Sequence, residues 1–303
     1  MLRRQGVKAE VIAEIVSDLN RRLSPNCSIS SRRAELRARA CLIVMGSEGR
    51  GEQTVRTDQD NGLILVGAGR RQDARRFPRR FLAGAGEIRL SPVPGQCDGA
   101  QPHVVEAARR ISRRLPSLGR AAGRRLPHEC RDLLRRRGRR RQSRLLEEAK
   151  RALIQKVQGE RVYLAHFAKA IEAFPTPIGF FNNLITAEGN GDAVDLKKGG
   201  IFPIVHGVRS FAIERGITET STSARIAKLV EAGALKPEFG RELTQSFQFL
   251  MSLRLDSQLS ESGSLMKPAT LSSMERDLLR DAFQVVKQFR EIVRRHFNLS
   301  MFG

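Results

Sequence analysis

Tryptophan is absent from this chain, and tyrosine occurs once, at Tyr163. Cysteine is scarce as well. Cys27, Cys41, Cys97 and Cys130 form no CxxC pair and have no histidines at matching spacing. That argues against a zinc framework and reads as free thiols in a cytoplasmic protein. No apolar run is long enough to span a bilayer. The opening MLRRQGVKAEVIAEIVSDLNRRL is not a signal peptide, because charges interrupt its apolar positions. Lysine is missing from the whole stretch between Gly67 and Gln142, and Phe77 and Phe81 are the only aromatics there. A nucleic-acid-binding surface built on that stretch would need interleaved rings for base stacking, so this competing class ranks low.

What is present begins with charge. The chain holds 54 Lys and Arg against 32 Asp and Glu, a net +22. A balance this basic usually points to nucleic acid. Its distribution says otherwise: residues 67–142 alone carry 21 arginines against 6 acids, with no lysine. At 303 residues the chain is long enough for one large domain or two ordinary ones, and a hydrophobic content of 40% allows a core.

Four pieces follow one another. Residues 1–40 read as a helical linker with a turn-like break at SPNCSISS. Val11, Ile12, Ile15, Val16, Leu19 and Leu23 give it a surface-helix pattern. Residues 41–66 carry a buried strand from Cys41 to Met45, a polar glycine-rich turn, and a second strand from Gly62 to Val66. Residues 67–142 lack periodicity. Residues 144–303 return to helical patterning. Leu146, Ala149, Leu153, Val157, Leu164, Phe167 and Ile171 lie along one helix face, as do Phe283, Val286, Phe289, Ile292 and Val293. Pro175, Pro177, Gly199, Gly200, Pro203, Gly216, Gly233 and Pro237 punctuate the helices between. The expected fold class is α+β: a mixed sheet with helices over 41–142, truncated or damaged in its middle, followed by an all-α bundle over 144–303.

The chemistry-bearing segment is MGSEGRGEQTVRTDQDN, Met45 to Asn61. A Gly-Ser at a strand end lets backbone amides and a hydroxyl approach phosphate with no side chain in the way. Two carboxylates one residue apart on a strand point to the same face. They can share metal ions, since Mg²⁺ prefers oxygen ligands. Here Gly46-Ser47 precedes Asp58-Gln59-Asp60 with ten residues between Ser47 and Asp58, room for a short helix joining the two strands.

On these residues the chain resembles the DNA polymerase beta-like nucleotidyltransferase superfamily. The fuller string GSEGRGEQTVRTDQDNGLIL is similar to a bacterial nucleotidyltransferase family related to PII uridylyltransferase. FPTPIGFFNNLIT (Phe174 to Thr186) and DLKKGGIFPIVHGVRSFAIERGI (Asp195 to Ile217) resemble that family's helical substrate-binding domain. The resemblance implies that Gly46 and Ser47 bind the phosphates of an NTP and that Asp58 and Asp60 hold catalytic magnesium. It places Arg50, Glu52 and Gln53 around the nucleotide. It also implies a place in signal transduction, an acceptor protein of PII type, and cyclic-nucleotide-binding or CBS domains upstream in relatives. The opening helix resembles the linker that follows such domains. Lys197, Lys198 and Arg209 face a triphosphate or an acidic partner, unless the two lysines simply mark a solvated helix start. Gly199 and Gly200 read as permitting a tight turn or close packing. His166, His206 and His296 read as ordinary helix residues.

The family continues after its DxD strand with a CPG-containing turn and a third strand bearing a further carboxylate. Neither is legible in residues 67–142. A reading frame shifted by one base explains the bias, because GC-rich codons read off-phase yield Arg, Gly, Ala and Pro with almost no Lys. Back-translated with free synonymous choice and read one base later, RLSPVPGQCDGAQPHVVEA can encode GYPPCPGNVMVRNPMWSK. In the same way RAAGRRLPHECRDLLRRRGRRR can encode ALPDEDSRMNVAIFYDAEAVAG. Both strings resemble the family. On that reading the stretch stays largely disordered, the sheet edge beside Leu63–Val66 is uncovered, and a metal ligand is lost. The expected function is Mg²⁺-dependent nucleotidyl transfer to a protein or small acceptor, impaired in this chain. A nucleotide-binding pseudo-enzyme is the alternative.

Overall fold

The computed structural model describes residues 2–29, 40–54, 61–65, 104–105, 137–138, 143–179, 183–185, 192–260 and 265–302. The fold is α+β. The chain divides into two compact units, one formed by Met1–Ile12 with Val157–Gly303 and the other by Ala13–Lys156.

The Ala13–Lys156 unit is built on a mixed four-stranded sheet. Strand β1 (Ala40–Val44) reads ACLIV, an uninterrupted apolar run of the kind that forms a central strand. It pairs antiparallel with β2 (Asn61–Leu65), in a register that sets Ala40 opposite Leu65 and Val44 opposite Asn61. Two-residue strands flank this pair. Strand β3 (Val104–Val105) runs parallel to β2, and β4 (Arg137–Gly138) runs antiparallel to β1. The order is β3-β2-β1-β4. The expectation of an uncovered edge beside β2 is therefore corrected. Val104 and Val105 take that edge, as a β-branched pair suited to a pleated surface. Of residues 67–142, only these two short strands lie within the described residues, so the expected disorder of the stretch falls outside them.

Helix α1 (Ala9–Ile29) starts in one unit and continues into the other. It runs through Pro25, where the sequence predicts a break. Proline there removes one N–H from the ladder and crowds the carbonyl four residues back, yet the helix continues to Ile29. Ala9, Ile12 and Ala13 are buried, whereas Val11, Ile15 and Leu19 lie on its exposed side. The first strand ends one residue earlier than expected, with Met45 already outside it. The second starts one residue earlier, at Asn61, and Val66 lies outside the described residues. Helix α2 (Gly46–Arg50) follows β1, and α3 (Ser143–Val157) closes this part of the chain.

The apolar face expected to run from Leu146 to Ile171 is split between two helices. The chain turns at Gln158–Glu160 before α4 (Arg161–Ala168), which passes into a 3-10 turn at Lys169–Ala173. Gly159 breaks the helix there, as its low helix propensity allows.

In the Val157–Gly303 unit the central element is α5 (Phe202–Glu214), buried continuously from Pro203 to Ile213. A helix buried on every side belongs inside a bundle. A π-helical turn, Lys197–Ile201, leads directly into it. Around it lie α6 (Thr222–Glu231), α7 (Pro237–Leu259) and α8 (Ser273–His296). Helix α8 buries Leu279, Ala282, Phe283, Val286, Phe289, Arg290 and Val293, a three-and-four spacing that defines one stripe. Its start is fixed by a reciprocal capping box between Ser272 and Glu275. Pro237 occupies the first turn of α7, where no intrahelical N–H is needed. Gly216 and Gly233, at φ +71° and +66°, end the helices before them. The expected all-α bundle is corrected in one respect: among the described residues it also carries an antiparallel pair, β5 (Val194–Asp195) with β6 (Leu265–Met266).

Candidate functional site

Strand β1 delivers the chain into a tight turn. Met45 is extended, and Gly46 then adopts φ +59°, a left-handed conformation in which a Cβ would be strained. The five residues Gly46–Arg50 form α2, and Gly51 closes it at φ +73°. Three backbone bonds fold the turn back on itself. The Gly49 amide donates to the Met45 carbonyl (2.8 Å), Gly51 to Glu48 (3.0 Å) and Glu52 to Ser47 (2.9 Å).

Side chains complete the turn. Arg50 is buried, and its Nη1 donates to the Gly46 carbonyl at 2.9 Å. Its Nε donates to the Glu52 carboxylate, which is also buried. Gln53, Thr54 and Glu48 are buried beside them, and Ser47 is half-buried. Sequence reasoning placed Arg50 and Glu52 around a nucleotide without finding that they hold each other. The signal was available in the spacing: Arg50 lies four residues after Gly46 and two before Glu52.

The register of β1 and β2 sets Asn61, the residue after the DQD triplet, opposite Val44, two residues before Gly46. Asp58 and Asp60 themselves lie outside the described residues. Among the described residues no group of three His, Cys, Asp or Glu could hold a metal ion.

The other candidate residues belong to the helical unit. The amides of Lys197 and Lys198 both donate to Asp195 Oδ1, each at 2.9 Å. Asp195 thus caps this turn, a role the sequence reading missed although Asp two residues before a helical run is a start signal. Both lysine side chains are exposed. Lys198 Nζ sits 3.9 Å from Asp195 Oδ2 and 5.6 Å from the centre of the Phe174 ring. The Phe174 carbonyl in turn accepts from Arg290 Nη1 at 2.6 Å. Burial weighs on Arg290 and pulls its pKa below the ordinary arginine value.

Gly199 and Gly200 serve packing. A Cβ on Gly199 would lie 2.5 Å from Pro177 Cδ, and one on Gly200 would lie 2.9 Å from Leu250 Cδ1. Arg209 is fully buried on α5, so it does not offer its charge to solvent. His206 is buried between the rings of Phe167 (4.7 Å) and Phe202 (5.4 Å), with Nε2 2.6 Å from the Phe167 carbonyl. His296 pairs with Glu214 at 2.7 Å on the surface, and His166 is half-buried on α4.

A strand, a left-handed Gly-Ser turn and a second strand entering beside it, ahead of a helical unit, fit the nucleotidyltransferase class. Two family descriptions match the chain. Residues 161–297 match "Putative nucleotidyltransferase substrate binding domain", and residues 1–120 match "Putative nucleotidyltransferase DUF294". The chain belongs to this nucleotidyltransferase family. The second match runs on to residue 120, well past the point where the motif reading stops, and so takes in part of the arginine-rich stretch. No curated protein matches the chain. Among the described residues no helix is long and apolar enough to cross a membrane.

Proposed function

We propose that this chain moves a nucleotidyl group from an NTP to a hydroxyl of a protein or small acceptor, in the manner of PII uridylyltransferase and in the cytoplasm, as part of signal transduction. The acceptor oxygen bonds to the α-phosphorus, the bond to the bridging oxygen breaks, and pyrophosphate leaves. The observation that carries this reading is the left-handed Gly46 two residues past β1, followed by the half-buried Ser47, in a chain of this family. With no side chain at Gly46, phosphate oxygens can approach the backbone. Asp58 and Asp60 are the residues that would hold Mg²⁺, which neutralises charge on the triphosphate and draws electrons from the α-phosphorus when bound. Gln53 completes the nucleotide end of the site. On the substrate-binding domain, the exposed Lys197 and Lys198 are the cations offered to a phosphate or an acidic acceptor.

The arginine-rich stretch points to impaired turnover, because the family's third carboxylate strand is not legible in it. Incubation with labelled NTPs, Mg²⁺ and candidate acceptors, beside an Asp58→Ala/Asp60→Ala variant, tests the proposal. Label transfer lost in the variant supports it. Nucleotide binding with no transfer supports the pseudo-enzyme alternative. Salt-sensitive oligonucleotide binding, indifferent to the variant, would sink both. Resequencing the gene decides the frame: an unbroken read in the printed frame ends the frameshift explanation.

A further inference from the structure

Arg50 stands in the motif as the obvious cation for a triphosphate, yet its surroundings are wrong for that task. The residue is only 8% exposed, and its side chain and that of Glu52 are each 10% exposed. The two form a buried ion pair, so together they bring no net charge to an incoming anion. The guanidinium has a second assignment. Nη1 donates to the carbonyl of Gly46 at 2.9 Å, the residue whose left-handed φ turns the chain away from β1. One rigid planar group thus spans the first residue of the turn and the residue just past its closing Gly51. Glu52 is also tied by its backbone, through its amide to the Ser47 carbonyl at 2.9 Å. The ring Gly46–Arg50–Glu52–Ser47 is closed on itself. A lysine could replace the arginine only in part, because an ammonium on a flexible stem lacks the fixed fork that meets two acceptors at once.

We propose that Arg50 is a positioning residue: it braces the Gly46 carbonyl against the Glu52 carboxylate, fixing the turn that presents Ser47, and it does not itself meet the nucleotide. The nucleotide part of this statement rests on the function proposed above. The brace does not, because it is a property of the turn.

The two roles predict opposite signs for one substitution. If Arg50 were a phosphate ligand, Glu52→Gln would release its charge and tighten NTP binding. If Arg50 is a brace, Glu52→Gln loosens the turn and weakens it. The full chain would be compared with Glu52→Gln, Arg50→Met, Arg50→Lys and the Glu52→Gln/Arg50→Met double variant. Two readouts apply: equilibrium binding of ATP and UTP with Mg²⁺, and hydrogen exchange at the Gly49, Gly51 and Glu52 amides. The brace predicts that each single loss weakens binding roughly tenfold, the size expected for a charge-assisted hydrogen bond. The double variant is then no weaker than the worse single one, and Arg50→Lys recovers part of the loss. Exchange at the three amides speeds up in parallel.

Tighter binding in Glu52→Gln overturns the proposal. So does a binding loss in Arg50→Met with exchange unchanged. If the unaltered chain binds neither nucleotide, the functional reading fails and the exchange arm judges the brace alone: unchanged protection in Glu52→Gln and Arg50→Lys would end it. Those two milder variants also decide the matter should Arg50→Met fail to fold.

Discussion

Among the described residues, the turns GSEGRG and KKGG both set glycines beside basic residues, and they use them in different ways. In GSEGRG, Gly46 and Gly51 are needed for conformation, since both have positive φ. In KKGG, Gly199 and Gly200 lie in a helical turn, and what they provide is space. Pro177, Leu250 and Phe283 occupy the positions that a Cβ would contest. The cations divide similarly. Arg50 is turned inward onto a carboxylate and a carbonyl, whereas Lys197 and Lys198 stay in solvent above an aspartate that caps their amides. Glycine beside a cation is therefore no signature of a phosphate site until φ and burial are known.

That contrast can be broken or sharpened by substitution. The largest effect is expected in the helical unit at Phe289, which is fully buried and lies against Gly207. Phe289→Ala should destabilise by about 3–5 kcal/mol in denaturant unfolding, through lost transfer energy and a cavity. Gly207→Ala comes next. Its new methyl would stand 2.6 Å from Phe289 Cε1 and 3.0 Å from Val293 Cγ2, and overpacking of this kind costs about 1–3 kcal/mol. Pairing it with a smaller residue at 289 should recover part of the loss, the mark of a steric glycine.

Gly46→Ala should behave in the opposite way. Its penalty is backbone strain of about 1–2 kcal/mol, so no repacking elsewhere relieves it. Asn in place of Ala should be better tolerated, because asparagine visits the left-handed region. Nucleotide binding should fall more than global stability does. A rescue of Gly46→Ala by shrinking a neighbouring side chain would erase the distinction between the two turns.

The smallest effect is at the capping box. Ser272→Ala should lower stability by about 1 kcal/mol near neutral pH. Hydrogen bonds from the Ser272 side chain and backbone hold the Glu275 carboxyl below the ordinary glutamate range. A carboxylate with a depressed folded pKa stabilises the fold above its unfolded value and loses that contribution as pH falls through the folded one. The difference between the parent and Ser272→Ala should therefore shrink as the solution is acidified below about pH 4, the ordinary glutamate value. A difference that grows on acidification would contradict the capping assignment.

Local signals account for much of what was legible beforehand. ACLIV is an apolar run and forms β1, and the room between the two strands does hold a short helix. Phe283, Val286, Phe289 and Val293 fall on one face and are buried together. The misreadings have a common origin in partners far along the chain. The pairing of Val104–Val105 with Leu63–Ile64 bridges about forty residues, and no window around either segment contains the other. Arg209 reads as a cation facing a triphosphate or an acidic partner, and only the helices packed around α5 make it buried. Pro25 is the exception: it reads as a break on local grounds, yet α1 continues past it to Ile29.

The sequence by itself determined the first two strands, the Gly-Ser turn between them, the helical character of the C-terminal half and the helical stripe of α8. Each depends on residues within a few positions of one another, where backbone geometry and side-chain period suffice. Tertiary structure decided which glycines relieve strain and which make room, which cations are enclosed, and what lies along the edges of the sheet. Those properties are set by atoms distant in sequence, through burial and strand register. The Arg50 brace lies between the two cases: its residues are neighbours in sequence, but burial is what holds its charges together.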